Sequence, residues 1–492
     1  MSDLDGVALP SDLSALDLLL HRGEANPRTR SGVLSVEILE TVPEWEHFRN
    51  GLDRASRQVL RMRQKVVVPS LPTAPARWVV DPDFDLNFHV RRVRAPEPGT
   101  LREVLDFADV ILQSPLDISR PLWAITLIEG MADGRAAVLS HMSHAVADGV
   151  GGLEMFSHMY DLEPEPRRRS APAVPIPEDI SGNDLMREGI RRLPGVVLGG
   201  AQIALTRVLR ATEHVAREPV SALTGAIDYV RSAARVMAPA AEPSPLLRRR
   251  SLSTRSESID IRLADMHAAA KGAGGSINDV YLASLCGALR RYHEVLAMPV
   301  ETLPMAVPVS LRAEADPAGG NHFAGVTLAA PVGESDPLLR IKDIREQMTE
   351  RKEEPALDVM GNLAPVLSIL PQPLIEAMAQ AIVPSDVQAS NVLGYAQDTY
   401  IAGSKIVRQY GLGPLPGVAM MVVLVSRAGF CTVTVRYDRA SVTEPDLFAR
   451  CLQDGFDEVL ALGGGSNRSR PASFSAAAVG SDRKPPMNRG DI

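Results

Sequence analysis

Apolar and polar positions along the chain follow two rhythms. Gly32-Val33-Leu34-Ser35-Val36-Glu37-Ile38 alternates every second residue, which predicts a half-buried strand. Leu101, Val104, Leu105, Ala108 and Leu112 recur at helical spacing and predict a helix over 101–114. Ala136–Met142 is a short apolar run bounded by polar and glycine-containing segments, as a buried strand would be. Residues 152–160 read as a helix, so His144 falls in a strand-to-helix connection.

The second half repeats this character. Ser258–Arg262 alternates as a strand, and Ser276 is a natural N-cap for a helix carrying Leu282, Leu285, Cys286 and Leu289 on one face. Asp279, three residues on, suits the positive end of that helix. Residues 305–311, 419–425 and 432–437 read as strands, and 445–462 as a closing helix with Pro445 in its first turn. Between the halves, 163–183 is rich in proline and charge and reads as a linker. Residues 186–236 look helical, with an apolar stripe of Leu198, Ala201, Leu205 and Val208 and eight arginines against four acids. Its apolar centre, 196–205, is too short and glycine-containing for a membrane span, which needs about 20 apolar residues. Two readings stand: a basic amphipathic helix on an anionic membrane, or an interdomain helix pair with a solvated basic face. Residues 464–492 lack periodicity, which predicts disorder.

Composition narrows the class. A chain of 492 residues predicts two to four domains at roughly 100–200 residues each. Hydrophobic residues at 45% can supply a large core, built mostly from aliphatic side chains because aromatics are only 4%. A net charge of −8 lacks the basic footprint of a general nucleic-acid binder. Cys286, Cys431 and Cys451 are widely spaced with no CxxC pair, so neither a zinc site nor a disulfide framework is expected, and a reducing cytosol is. The N-terminal stretch is acidic and lacks the order of a signal peptide. Six lysines against 46 arginines, with many Ala, Gly and Pro, point to a GC-rich bacterial genome.

The candidate chemistry lies in Ser143-His144-Ala145-Val146-Ala147-Asp148-Gly149. An imidazole, a carboxylate four residues on and a glycine after it can build one loop. His144 would be the base, Asp148 an anchor, and Gly149 the residue that admits a tight turn. Alone, such a histidine is more often a satisfied core or surface residue than a base.

Other blocks weigh on that choice. Leu13-Ser14-Ala15-Leu16-Asp17, Phe84-Asp85-Leu86 with His89-Val90-Arg91, and Arg120-Pro121-Leu122-Trp123 occur in the first half. Asn278-Asp279-Val280, Val307-Pro308-Val309-Ser310-Leu311-Arg312, Gly320-Asn321, Ser390-Asn391-Val392 and Gly413-Pro414-Leu415 follow in the second. Together with the His144 segment, an HHxxxDG-like motif, they make the chain resemble the bacterial wax ester synthase/diacylglycerol acyltransferase family as far as about residue 463. The resemblance implies an α/β fold of two chloramphenicol-acetyltransferase-like domains forming a pseudo-dimer, with an active-site tunnel between them. The expected division is 1–165, the N-terminal domain with the motif; 166–252, linker and connecting helices; 253–463, the C-terminal domain; and 464–492, the tail.

The resemblance further implies acyl-CoA-dependent O-acyl transfer, giving triacylglycerol from diacylglycerol or wax ester from a long-chain alcohol. Acyl-CoA would be a co-substrate, with no metal and no other cofactor. His144 would take the acceptor's proton; its unperturbed pKa of about 6.5 suits the task. Asp148 is better read as a loop anchor than as a triad member, with Arg312 as its candidate partner. Asn278 would either donate to the oxyanion or organise a helix start. Trp123, Asn391 and Gly394 are candidates for the acyl tunnel, Trp123 equally for the core; His89 and His141 read as core residues. The chain departs from the family where Ser143 stands for the first motif histidine, where Leu393 and Tyr395 stand for prolines, and at Thr29-Arg30-Ser31-Gly32. Alternatives are transfer from another thioester or to another hydroxylated lipid, and a degenerate paralogue that binds lipid or acyl-CoA without turnover. A cytoplasmic protein, peripheral at the membrane or lipid droplets, is the expected setting.

Overall fold

The computed structural model describes residues 11–146, 158–165, 171–192, 240–310, 323–352 and 385–464. The tail, most of the 186–236 helical span and all but the last three residues of the expected 152–160 helix lie outside these. The described chain builds two six-stranded sheets and a two-stranded ribbon, β2 (Gln64–Val67) with β3 (Arg77–Val80).

The first sheet is centred on β1 (Gly32–Leu39) and β6 (Ala136–Ser143), antiparallel with Leu34 opposite His141 and Gly32 opposite Ser143. Next to β6 lie β5 (Trp123–Glu129) and then β4 (Val90–Arg94), which follows the one-turn helix α3 (Leu86–His89). Every residue of β6 is buried, because both of its faces are covered. Val138 and Met142 enter one core, with Phe48 and Leu52 of α2 (Trp45–Gln58), while Ala137 and Leu139 enter another. That second core is closed by α4 (Leu101–Gln113), through the stripe Leu101, Val104, Leu105, Ala108 and Leu112. Thr100 and Glu103 form a reciprocal capping box that starts this helix where the spacing predicts it.

The second sheet runs β7 (Thr254–Arg262), β14 (Phe430–Asp438), β13 (Met420–Arg427), β10 (Val387–Leu393), β8 (Leu303–Ser310) and β9 (Phe323–Ala330). One face carries α5 (Leu263–Gly272), α6 (Ile277–Val295), α7 (Pro337–Lys352) and α8 (Pro445–Leu460) over a single apolar core. Helix α8 closes directly on α6 at Gly455, where a Cβ would sit 2.5 Å from the Ala288 backbone nitrogen. The other face presents Met421, Val423 and Val425.

That face meets a strand that belongs to the other sheet. Strands β11 (Tyr400–Ile401) and β12 (Ser404–Leu412) leave the second half, and β12 pairs antiparallel with β1, Leu412 opposite Leu34. β12 is thus hydrogen-bonded into the first sheet while packing on the second; a Cβ at Gly411 would lie 2.8 Å from Val423 Cγ1. Arg408 and Tyr410 of β12 both reach Asp260 of β7, at 2.8 and 2.9 Å. A second lock joins α4 to β14. Arg436 Nε donates to Asp109 Oδ1 at 3.0 Å, the two side chains being 5% and 4% exposed. The Arg436 fork also donates to the Gly413 carbonyl at 3.1 Å and the Thr254 hydroxyl at 3.2 Å.

Candidate active site

Strand β6 delivers Ser143 and His144 to the edge of the first core, where the chain turns. Ser143 N–H donates to the Leu122 carbonyl (3.1 Å), and Val146 N–H returns to the Ser143 carbonyl (3.1 Å), so residues 143–146 form a tight turn. His144 is half-buried there, and its backbone N–H donates to the Ser31 carbonyl at 3.3 Å. Asp148 and Gly149 lie outside the described residues, as does Arg312, so the expected ion pair has no geometry here.

Beneath the turn sits a carboxylate that no sequence motif announces. Glu24, the residue after α1 (Ala15–Gly23), is 2% exposed. Its Oε1 accepts from the Ser143 hydroxyl at 2.7 Å and from the Ser31 hydroxyl at 3.1 Å. Ser143 Oγ in turn accepts the Ala145 N–H at 3.2 Å. Burial raises the Glu24 pKa, an effect opposed by the two serine hydroxyls and the nearby Arg30. Arg30 also ties down the Glu24 backbone: its Nε donates to the Glu24 carbonyl at 3.2 Å and its Nη1 to the Gln113 carbonyl, at the end of α4, at 2.6 Å.

Arg30 and Gly32, on either side of Ser31, line a cavity of about 1040 Å³ between the two halves. Leu112 and Gln113 complete its first-half wall, and Leu252, Thr254, Leu415 and Val418 are among its apolar and polar second-half residues. Arg28, Arg248, Arg250 and Arg436 also face it, against Asp386 and Asp438. Among the described residues, Arg28 and Arg248 form no ion pair within 4 Å. Burial pushes the Asp386 carboxyl up to about 6, although it accepts the Ser244 N–H and lies near Arg250 and Arg248.

The other expected site residues separate. Trp123 lies in the core rather than on the cavity wall, 1% exposed, donating from Nε1 to the Met62 carbonyl at 2.7 Å. His89 stacks on it at 4.5 Å and meets its carbonyl through Nδ1 at 2.8 Å; burial lowers the His89 pKa and leaves Nε2 without a partner. His141 is a core residue as well, 3% exposed, with its imidazole pushed down to about 3 by burial and by Arg436, Arg30 and Arg91. Asn278 is half-buried in the first turn of α6, but Ser276 and Asp279 form the capping box, so the helix start does not depend on it. Asn391 is exposed on β10, opposite Leu424, and Gly394 follows that strand with its N–H on the Ser426 carbonyl at 2.8 Å. Neither is among the cavity-lining residues. The three cysteines are buried, and burial raises Cys286 to about 12 and Cys431 to about 11, so neither is poised as a nucleophile. Among the described residues no cluster of His, Cys, Asp or Glu could hold a metal ion.

Comparison with known proteins shows the family and the fold. The wax ester synthase/diacylglycerol acyltransferase catalytic-domain model matches residues 1–281, and the C-terminal-domain model of that family matches 319–459. A Mycobacterium tuberculosis H37Rv protein named "putative diacyglycerol O-acyltransferase" is 65% identical over 474 residues, covering 96% of each chain. A second from that strain, named a diacyglycerol O-acyltransferase with the same qualifier, is 30% identical over 422 residues, covering 82% of this chain and 86% of its own. Among solved structures, the wax ester synthase/diacylglycerol acyltransferase of Marinobacter aquaeolei VT8 superposes with a TM-score of 0.61 at 21% identity, covering 92% of this chain and all of its own. The first condensation domain of the calcium-dependent antibiotic synthetase, solved with a substrate analogue, superposes at 0.56 and 14% identity, over 96% and 99% of the two chains. These two likenesses show the fold, the two-half α/β arrangement expected above.

Proposed function

Since the chain belongs to the wax ester synthase/diacylglycerol acyltransferase family, we propose that it moves an acyl group from acyl-CoA to the hydroxyl of diacylglycerol or a long-chain alcohol, with His144 as general base. The observation that carries this is the seat of His144. It lies on a tight turn whose tether, Ser31, is flanked by two residues of the cationic interdomain cavity.

In the proposed step the neutral imidazole of His144 takes the alcohol proton as the oxygen attacks the thioester carbonyl. The tetrahedral intermediate collapses by breaking the C–S bond, and the imidazolium returns the proton to the CoA thiolate. Proton and acyl group balance with acyl-CoA and alcohol alone, so we propose no further cofactor. The phosphates of the CoA handle would meet Arg28, Arg30, Arg248 and Arg250, guanidiniums suited to phosphate oxygens. The acceptor partitions into lipid, so the enzyme would meet it as a peripheral protein; no helix among the described residues is long and apolar enough to cross a membrane.

The test is turnover of radiolabelled palmitoyl-CoA with diacylglycerol or hexadecanol by purified protein, beside His144→Ala. Positioned base catalysis supplies on the order of 10²–10⁴-fold, and the variant should lose that much while keeping its circular dichroism. Wild-type turnover in His144→Ala would end the assignment. Acyl-CoA binding without product from wild type would favour the lipid-binding paralogue.

A further inference from the structure

We propose that Glu24 is a positioning residue for His144, holding the 143–145 turn through Ser143 and Ser31; this rests on His144 being the base. Two tethers of that turn converge on one oxygen atom. Glu24 Oε1 fixes the Ser143 hydroxyl at 2.7 Å, and that hydroxyl fixes the Ala145 N–H at 3.2 Å. The same oxygen fixes the Ser31 hydroxyl at 3.1 Å, and the Ser31 carbonyl holds the His144 N–H at 3.3 Å. The backbone on both sides of His144 is therefore referred to one carboxylate. A mobile side chain could not serve this way, but Glu24 is 2% exposed and pinned through its own backbone. Its N–H caps α1 on the His21 carbonyl at 3.3 Å, and its carbonyl accepts from Arg30 at 3.2 Å.

Burying a carboxylate is unfavourable, and among the described residues Glu24 forms no ion pair to offset it, Arg30 donating to its backbone carbonyl rather than its carboxylate. The serine hydroxyls supply its hydrogen bonds instead, and both belong to the segments that hold His144. Arg30 gives the arrangement a second consequence. It lines the cavity and grips the Glu24 carbonyl, so the wall of the proposed donor site and the turn bearing the base are mechanically one unit.

The experiment compares wild type, His144→Ala, Glu24→Ala, Glu24→Gln, Ser143→Ala and Glu24→Ala/Ser143→Ala in the palmitoyl-CoA assay. Thermal unfolding is followed on each protein. A base displaced by about 1 Å loses on the order of 10²-fold in rate. Glu24→Ala should therefore lower kcat by roughly that factor, with KM for either substrate moving less than about twofold. Glu24→Gln keeps an acceptor oxygen at the same place and should recover most of the loss. The double variant should lose less than the product of the two single losses, because Ser143 lies on one of the two paths from Glu24. A folded Glu24→Ala with wild-type kcat, a loss confined to KM, or multiplying losses in the double variant would overturn the proposal. Should Glu24→Ala not fold, Ser143→Ala decides: a roughly tenfold lower kcat at unchanged KM supports the proposal, and wild-type kcat overturns it. Full activity in His144→Ala would instead remove the underlying reading of the base.

Discussion

Replacing Arg436 by methionine should unlock the two halves of the molecule. Arg436 lies 3.0 Å from Asp109, and both side chains are almost wholly removed from water, 5% and 4% exposed. At that distance and an effective dielectric of about 20, the attraction amounts to about 5 kcal/mol before desolvation is subtracted. Desolvation takes back much of it, so the pair's net worth is small, but removing one member is another matter. Methionine would strand the Asp109 carboxylate with only the Thr254 hydroxyl on Oδ1, while Oδ2 already has no partner. Breaking a buried pair in this way costs about 3–5 kcal/mol. Asp109→Asn should cost less, about 1–3 kcal/mol. The guanidinium keeps the Gly413 carbonyl and the Thr254 hydroxyl, and the asparagine oxygen can still accept from it. Urea unfolding reads the difference. Fluorescence from Trp45, Trp78 and Trp123 reports the first half alone, whereas far-ultraviolet circular dichroism reports both. In Arg436→Met the transition should move to lower urea and the two signals should separate. A variant within about 0.5 kcal/mol of wild type, with coincident signals, would refute the reasoning.

Burial holds the His141 imidazole near 3, whereas in the unfolded chain it titrates near 6.5. Its contribution to stability is therefore complete above pH 6.5 and drains away as pH falls towards 3, about 2 kcal/mol between pH 7 and pH 5. Urea midpoints at those two pH values should differ less in His141→Gln than in wild type, since His21, held near 4, titrates in both; equal differences would sink the idea. Gly455→Ala would place its Cβ 2.5 Å from the Ala288 nitrogen, forcing α8 off α6 at a cost of about 1–3 kcal/mol, and an unchanged melting temperature would contradict it. Trp123→Phe removes the donor to the Met62 carbonyl and should cost about 1–3 kcal/mol in thermal unfolding without lowering kcat; a selective loss of kcat would return Trp123 to the site.

Elements whose rhythm is set by their own two faces are legible in the sequence. β1, α4, β6, α6, β14 and α8 appear within a residue or two of where periodicity and caps place them. β12 is different. Only Ser404 and Lys405 pair locally, with β11 across a tight turn; the long ladder lies on β1, and nothing local specifies that pairing. β10 was likewise obscured: Asn391 and Gly394 read as a tunnel segment through resemblance, while the parallel partners that make it a strand, on β13 and β8, are remote in sequence. At the site, the motif identified the turn and the family blocks weighted His144 as the base. Glu24 escaped because a glutamate after a helix is ordinary, and only the folded chain brings it to 2.7 Å from Ser143.

The passage of β12 into the first sheet also sets a timetable for synthesis. Thr41, just past β1, is held by Ser404 across 363 residues of chain. At about 5–20 residues per second, that interval is on the order of 20–70 s of translation, during which one long edge of β1 has no neighbour. An open hydrogen-bonding edge is a template for the wrong strand. The nascent first half must therefore wait, shielded or unfinished, for a strand translated long after its own.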